Sequence, residues 1–344
     1  MIGMTEWINI CLIGTGRAGM IHGKNFARRI ENAKLIALCD PSKESLDGAQ
    51  QELNCQYVYE DYREVMKNPE IHAVVIVTPT SYHKEIALAA AAAKKHILCE
   101  KPLAMDETEC LEMIQAAEDN QVKLQVGFMR RFDASFQEAK KVVDSGAIGE
   151  VVLVKSLTHG PSKPKPWMFD IRQSNGPIGE VNSHDLDTLR WLTGSEVESI
   201  YANGGNYRSP EVKDEYPDYY DTVAMNLRFT DGKLGLIDGA QYVQYGYDAR
   251  TEILGTKGSI LVGDQGKHNI VVATSDQQLT QPTMHSWMYL FRDAYMAEDQ
   301  AFIDCILTDT EPQCTGRDGL MAVGLVNAGL TSLLENRIVE VEKE

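Results

Sequence analysis

Glu180 and His184 stand four residues apart, a spacing that on a helix sets a carboxylate beside an imidazole. Such a carboxylate fixes the imidazole tautomer and raises its basicity, which suits a base working near neutral pH. Asp187 follows His184 by three residues and adds a second carboxylate. Taken alone, the pair reads as a surface or structural contact, and the rest of the chain decides. Lys101 stands between Glu100 and Pro102 after a strand-like run, where an ammonium is placed to hold a substrate oxygen. A third signal is the loop Gly14-Thr15-Gly16-Arg17-Ala18-Gly19, the glycine spacing of a dinucleotide cradle.

A strand must deliver that loop and a helix must receive it. Residues 7–13 read as a buried strand running into Gly14, and a helical pattern continues to about residue 29. Gly14 makes the tight turn, Gly16 lets the backbone approach a pyrophosphate, and Gly19 allows the helix to pack on the strand. The helix N-terminus, with Arg17 and Ala18 in the loop before it, offers N–H groups and a positive dipole end to phosphates. Residues 34–39 form a second strand ending at Asp40, whose carboxylate accepts bonds from ribose hydroxyls and repels a 2′-phosphate. The expected cofactor is NAD. Residues 73–77 are a β-branched run ending at Thr78-Pro79, and residues 81–95 an alanine-rich helix. Residues 96–99 lead to Glu100-Lys101-Pro102, Asp106 to Glu109 resembles a capping box, and residues 123–126 close the sheet. Ligands of an open parallel sheet sit at the carboxyl ends of its strands, so Asp40, Thr78, Pro79 and Lys101 reach one edge.

From residue 151 the period changes to two. Residues 151–157, 197–202, 219–229, 234–240, 252–254 and 259–262 read as strands of a mostly antiparallel sheet. Residues 176–192 read as an amphipathic helix packed on one face, and a partner subunit is the simplest cover for the other. Residues 158–175 form a long loop carrying Trp167 and Phe169, rings that suit the C–H face of a sugar or cyclitol or that pin the loop to the body. Trp287 and His285, ahead of a helix at 292–307, are placed alike, and the last helix, about 318–334, packs back toward the first domain. The fold class is α/β: a doubly wound parallel Rossmann domain over residues 1–126 and an α+β domain with a large open sheet over residues 127–344.

A chain of 344 residues suits two domains, and its formal net charge of −17 disfavours nucleic acid and anionic membranes as partners. The amino terminus carries no basic segment followed by an apolar one, and the longest apolar run, 86–93, is too short to span a bilayer. Seven scattered cysteines without metal-type spacing fit buried thiols in a reducing cytoplasm. A metal on Glu180, His184 and Asp187 lacks a further well-spaced His or Cys, so none is expected.

The glycine loop, Thr78-Pro79-Thr80 with His83, Glu100-Lys101-Pro102, Gly127-Phe128-Met129-Arg130-Arg131-Phe132 and Tyr245-Gly246-Tyr247-Asp248 resemble the glucose-fructose oxidoreductase, inositol dehydrogenase and rhizopine-catabolism oxidoreductases. The resemblance covers nearly the whole chain and is nearest to the inositol 2-dehydrogenase branch. It implies that Lys101 is catalytic, that His184 is the acid/base, and that His83 and Glu100 belong to the cofactor rim. The family's Asp four residues before the His is Glu180 here, and the extra methylene moves the carboxylate by about an ångström. In this reading His184 takes the hydroxyl proton, Glu180 orients it, and Lys101 holds the oxygen. Arg130, Trp167, Asn182 and Tyr247 are the candidate substrate contacts, and Arg130 and Asp185 are placed to touch substrate or nicotinamide. The implied reaction is NAD-dependent oxidation of a ring secondary hydroxyl, of an inositol-like polyol or at the 3-position of a pyranoside, by a homodimer or homotetramer. A glycoside-processing enzyme using tightly bound NAD transiently and a non-enzymatic NAD or sugar sensor are the alternatives; Lys101 and His184 together argue against the sensor.

Overall fold

The computed structural model describes residues 7–267, 271–273 and 275–341. The first six residues, on which the expectation of no leader signature rests, lie outside them. The chain divides into two units, residues 1–132 with 292–321 and residues 133–291 with 322–344.

The first unit alternates strand and helix: β1 (Ile8–Ile13), α1 (Gly19–Arg28), β2 (Ala33–Cys39), α2 (Lys43–Leu53), β3 (Tyr57–Tyr59), α3 (Tyr62–Lys67), β4 (Ala73–Ile76), α4 (His83–Ala92), β5 (His96–Glu100), α5 (Glu107–Asn120) and β6 (Leu124–Gly127). The strands lie in the order β3-β2-β1-β4-β5-β6, and every pair is parallel. Chain direction across the sheet reverses between β1 and β4, which opens a crevice at their carboxyl ends. β4 is buried along its whole length, as its unbroken Ala-Val-Val-Ile run requires. Helix starts are capped by Ser42, Asp61 and Asp106, each accepting a backbone N–H of its first turn. Asp106 bonds the Glu109 N–H at 2.9 Å, while the returning Glu109 carboxylate takes the N–H of Met105, one residue earlier than a capping box would have it.

Residues 292–321 return to this unit. Phe302, Ile303 and Cys305 of the helix Arg292–Thr308 share a core with Ile8, Ile10, Leu12, Phe26 and Leu38. Beyond it, the Val126 N–H donates to the Cys314 carbonyl at 3.0 Å, so the chain runs antiparallel along the edge of β6. One boundary near residue 126 therefore does not describe the chain; a helix distant in sequence completes the Rossmann core.

The second unit contains α6 (Ala134–Asp144), β7 (Val151–Gly160), α7 (Ile171–Ser174), α8 (Ser183–Thr193), β8 (Val197–Gly205), β9 (Thr222–Phe229), β10 (Leu234–Gln241), β11 (Asp248–Gly255), β12 (Ser259–Val262), the short pair β13 (Val272–Ala273) and β14 (Leu279–Thr280), and α9 (Trp287–Leu290). Arg292–Thr308 is α10, Gly316–Glu335 is α11, and β15 (Val339–Glu340) is the last element. The sheet order is β12-β11-β7-β10-β9-β8-β15; β7 and β10 run parallel and the other neighbours antiparallel. Strand alternation is regular: in β9 Val223, Met225, Leu227 and Phe229 are buried and the residues between them exposed.

Two sequence expectations change. Residues 81–95 are not one helix, because Thr80–Tyr82 is a 3₁₀ turn and α4 starts at His83. Residues 176–192 are not one amphipathic α-helix either: Ile178–Asn182 is a π-helix, α8 begins at Ser183, and every residue from Ser183 to Arg190 is buried. Within this unit α8 packs on β7, β10 and α6, and its residues from Ser183 to Arg190 present no solvated face.

Candidate active site

In the first unit the glycine loop has the geometry its spacing demands. Gly14 has φ +98°, and a Cβ there would lie 2.4 Å from the Val77 carbonyl oxygen. A Cβ on Gly19 would lie 1.9 Å from the Gly14 oxygen. Gly16 differs: a Cβ there meets no protein atom within 4 Å, so the space beside it is open to a ligand. The α1 N-terminus has no side-chain cap; the Met20 and Ile21 N–H groups donate to the Gly16 and Ala18 carbonyls, and the positive end of the helix faces the loop. Asp40 is aimed by backbone donors, its Oδ2 accepting from Thr15 N at 2.8 Å and its Oδ1 from Ser42 N at 2.8 Å. Arg17 and Gly16 are exposed at the loop tip and Ala18 is half-buried. At the end of β4, Thr78 Oγ1 is buried without a hydrogen-bond partner, and Pro79 beside it is exposed. The open space at Gly16, the uncapped helix and the orphaned hydroxyl together fit a dinucleotide.

His83 bridges the rim. Its Nδ1 lies 2.9 Å from the Pro102 carbonyl and its Nε2 2.9 Å from the Thr78 carbonyl, so the ring sits between the end of β4 and the segment after β5 and its tautomer sets which carbonyl receives the N–H. Burial holds its pKa below the usual imidazole range, partly offset by those carbonyls. Lys101 is half-buried and directly follows β5. Its N–H donates to Glu100 Oε2 at 3.1 Å. Glu100 is buried, and its Oε1 lies 3.2 Å from His22 Nε2 on α1. His22 Nδ1 in turn lies 2.6 Å from Asp299 Oδ1, and Asn25 donates to Asp299 Oδ2 at 2.8 Å. Arg130 is buried in the 3₁₀ turn Met129–Phe132, and the neighbouring Arg131 pairs with Asp318 at 2.8 Å.

The second unit holds Glu180 and His184. Glu180 lies in the π turn and His184 in the first turn of α8, so the wider π spacing rotates Glu180 from where a continuous α-helix would set it. His184 is buried and Glu180 half-buried. The α8 start is held by Asp185, whose Oδ1 accepts from Ser156 at 2.6 Å and whose Oδ2 accepts from Thr158 and Asn182, each at 2.8 Å. Asp185 and Asn182 are fully buried, and a Cβ on Gly239 would lie 2.0 Å from Asn182 Oδ1. These contacts give both residues a positioning duty within the unit. Phe169 sits edge-on to Tyr219 at 4.9 Å and pins the loop, whereas Trp167 is half-buried on the same 3₁₀ turn. Tyr247 is buried, its ring edge-on to Phe291 at 6.4 Å. His285 is exposed and Trp287 half-buried.

Sequence reasoning missed His22, Asn25, Glu298, Asp299, Ser156 and Thr158. A signal for some of them existed. Tyr295, Asp299 and Phe302 share one helical stripe, and Ser156 and Thr158 occupy successive inward positions of β7 where apolar residues belong. Among the described residues one trio, His22, Glu100 and Glu298, has ligand-type atoms within 4.8 Å of one another. Both His22 ring nitrogens face carboxylates, at 2.6 Å from Asp299 and 3.2 Å from Glu100. The seven cysteines are buried with no disulfide among them, and no described helix is long and apolar enough to cross a membrane.

Residues 8–128 match a model described as an oxidoreductase family, NAD-binding Rossmann fold, and residues 136–261 match the GFO/IDH/MocA C-terminal domain. The chain is 35% identical over 338 residues to the myo-inositol 2-dehydrogenase of Thermotoga maritima, covering 98% of this chain and 99% of that one. It is 32% identical to the scyllo-inositol 2-dehydrogenase (NAD(+)) of Bacillus subtilis, covering 98% of each. A crystal structure of scyllo-inositol dehydrogenase from Lactobacillus casei with bound NAD(H) and scyllo-inositol superposes with a TM-score of 0.89 at 31% identity, covering 97% of this chain and 99% of that one.

Proposed function

We propose, from the premise that this chain belongs to the GFO/IDH/MocA oxidoreductase family and binds NAD, that it oxidises a ring secondary hydroxyl of a cyclic polyol or sugar. The observation that carries the reading is Lys101 at the carboxyl edge of the dinucleotide sheet, its backbone held by Glu100. Bound NAD supplies the two-electron acceptor for the hydrogen leaving the carbinol carbon. Lys101 holds the reacting oxygen and favours its alkoxide character. His184 takes the hydroxyl proton, on a helix start that Asp185 clamps to β7. Glu180 orients the imidazole and stabilises its charged form. Arg130, Trp167 and Tyr247 are the residues proposed to shape substrate choice. Asp40 excludes a 2′-phosphate. Relatives that act on inositols at about one-third identity make an inositol the first substrate to try.

The outer face of the second sheet supports a homo-oligomer. Register places Leu234, Leu254 and Leu153 in one row and Leu236 and Leu261 in the next, and all but Leu153 are exposed. Lys155 and Glu252 pair at 3.1 Å between them. A second copy of this chain is the proposed cover.

The test is NAD reduction with a panel of inositols and pyranosides, in wild type, Lys101→Ala and His184→Ala. Each substitution is expected to lower turnover roughly a hundredfold or more, with NAD affinity within about twofold. Full activity in either variant removes that residue from the mechanism. Aglycone release from a glycoside without net cofactor reduction would replace simple dehydrogenation by transient use of NAD.

A further inference from the structure

His22 of α1 is wholly buried between carboxylates of two other elements. Its Nδ1 faces Asp299 of α10 at 2.6 Å and its Nε2 faces Glu100 of β5 at 3.2 Å. An ionised carboxylate only accepts, so each of these contacts requires a proton on the nitrogen that makes it. With Asp299 and Glu100 both ionised, the ring is an imidazolium. Asn25, one turn along α1, donates to the second oxygen of Asp299 and fixes that carboxylate in turn. The Tyr295 ring stands edge-on to the imidazole at 5.3 Å, and Glu298 of α10 is the remaining titratable group of the cluster.

The far end of this chain is Lys101. Glu100 uses one oxygen on His22 and the other on the Lys101 N–H, so the carboxylate fixes the backbone from which Lys101 projects. Gly127 leaves the room: a Cβ there would lie 3.1 Å from Glu100 Cδ. On the other side His83 Nδ1 lies 2.9 Å from the Pro102 carbonyl. We propose that His22, held by Asp299, is a positioning residue for Lys101, acting through Glu100 to fix the amine where it meets the reacting oxygen. The inference rests on the catalytic reading of Lys101 given above. Burial opposes charge on His22, but Asp299 and then Glu100 more than offset it and raise its pKa well above the usual range. Burial also raises Asp299, and the shared proton is placed on His22 because two carboxylates face that ring.

The experiment uses the NAD-loaded full chain in two arms. In the first, long-range ¹⁵N NMR of histidine-labelled protein at neutral pH reads the His22 ring without any polyol, His22→Gln identifying its signal. The expected result is both nitrogens protonated in wild type and a single neutral tautomer in Asp299→Asn; a neutral ring in wild type overturns the proposal. In the second, scyllo-inositol and myo-inositol oxidation is followed in His22→Gln, His22→Leu, Asp299→Asn and Lys101→Ala. Expected is a loss of kcat of roughly ten- to a hundredfold in His22→Leu, with KM for NAD unchanged, and partial rescue in His22→Gln, which keeps one donor for Glu100. In Asp299→Asn the alkaline limb of the kcat profile moves to lower pH. Unchanged kcat and pH profile in the His22 and Asp299 variants, with Lys101→Ala inactive, overturns the positioning role and leaves Lys101 catalytic. A fully active Lys101→Ala overturns the catalytic reading itself.

Discussion

Glu298 sits beside the charged cluster with both carboxyl oxygens buried and no hydrogen-bond partner. Burial, reinforced by the negative charge of Glu100, raises its pKa well above the usual carboxylate range, so the native state holds it as a neutral acid. The unfolded chain releases that proton above about pH 4.3. The native state therefore binds more protons, and stability falls as pH rises from the unfolded value toward the raised native one. His22 acts with the same sign over its own range: its contribution is complete below about pH 6.5 and is lost as pH rises through its raised native value. Replacing Glu298 by Gln keeps the shape and removes one titration. Thermal melting from pH 4 to 9 should give a Glu298→Gln variant that matches wild type at the acid end and melts higher at the alkaline end. A variant parallel to wild type at every pH would show that Glu298 is not a buried proton carrier.

Glycine geometry separates two duties within a single turn between β1 and α1. Gly19 is required by the protein itself, because a Cβ would lie 1.9 Å from the Gly14 oxygen, whereas Gly16 faces open space. Gly19→Ala should lower the melting temperature by roughly 5 °C or more. Gly16→Val should melt near wild type but bind NAD about tenfold more weakly or worse, as calorimetry would show. Equal losses of stability in both would refute the division. This turn was legible in the sequence because strand, glycines, helix and acid follow each other locally, and the same holds for Lys101 at the end of β5. The helix bearing His184 was less legible. A π turn leaves no signature in hydrophobic spacing, and α8 packs on α6, β7 and β10, which are distant in sequence. Asp185 was readable as an acid near a base but not as a clamp, since Ser156 and Thr158 lie 29 and 27 residues away.

The whole molecule combines a parallel sheet that holds NAD with a mostly antiparallel sheet whose inner face carries α8 and whose outer face exposes Leu234, Leu236, Leu254 and Leu261 beside the Lys155–Glu252 pair. Helix α10 shows why one cut in the sequence does not separate two such units: its core residues and the Asp299 carboxylate belong to the Rossmann sheet. Light scattering on the eluting protein should give a multiple of the chain mass, and Leu236→Asp with Leu261→Asp should reduce it to one chain; a wild-type monomer would refute the proposed cover. The central claim is that hydrogen passes from a ring carbinol carbon to NAD. It is tested most directly by incubating the protein with NAD and scyllo-inositol deuterated at carbon, then weighing the cofactor by mass spectrometry. The account predicts reduced cofactor carrying one deuterium per molecule, formed by wild type and not by Lys101→Ala. Reduced cofactor without deuterium, or none from any deuterated polyol of the panel, would contradict it.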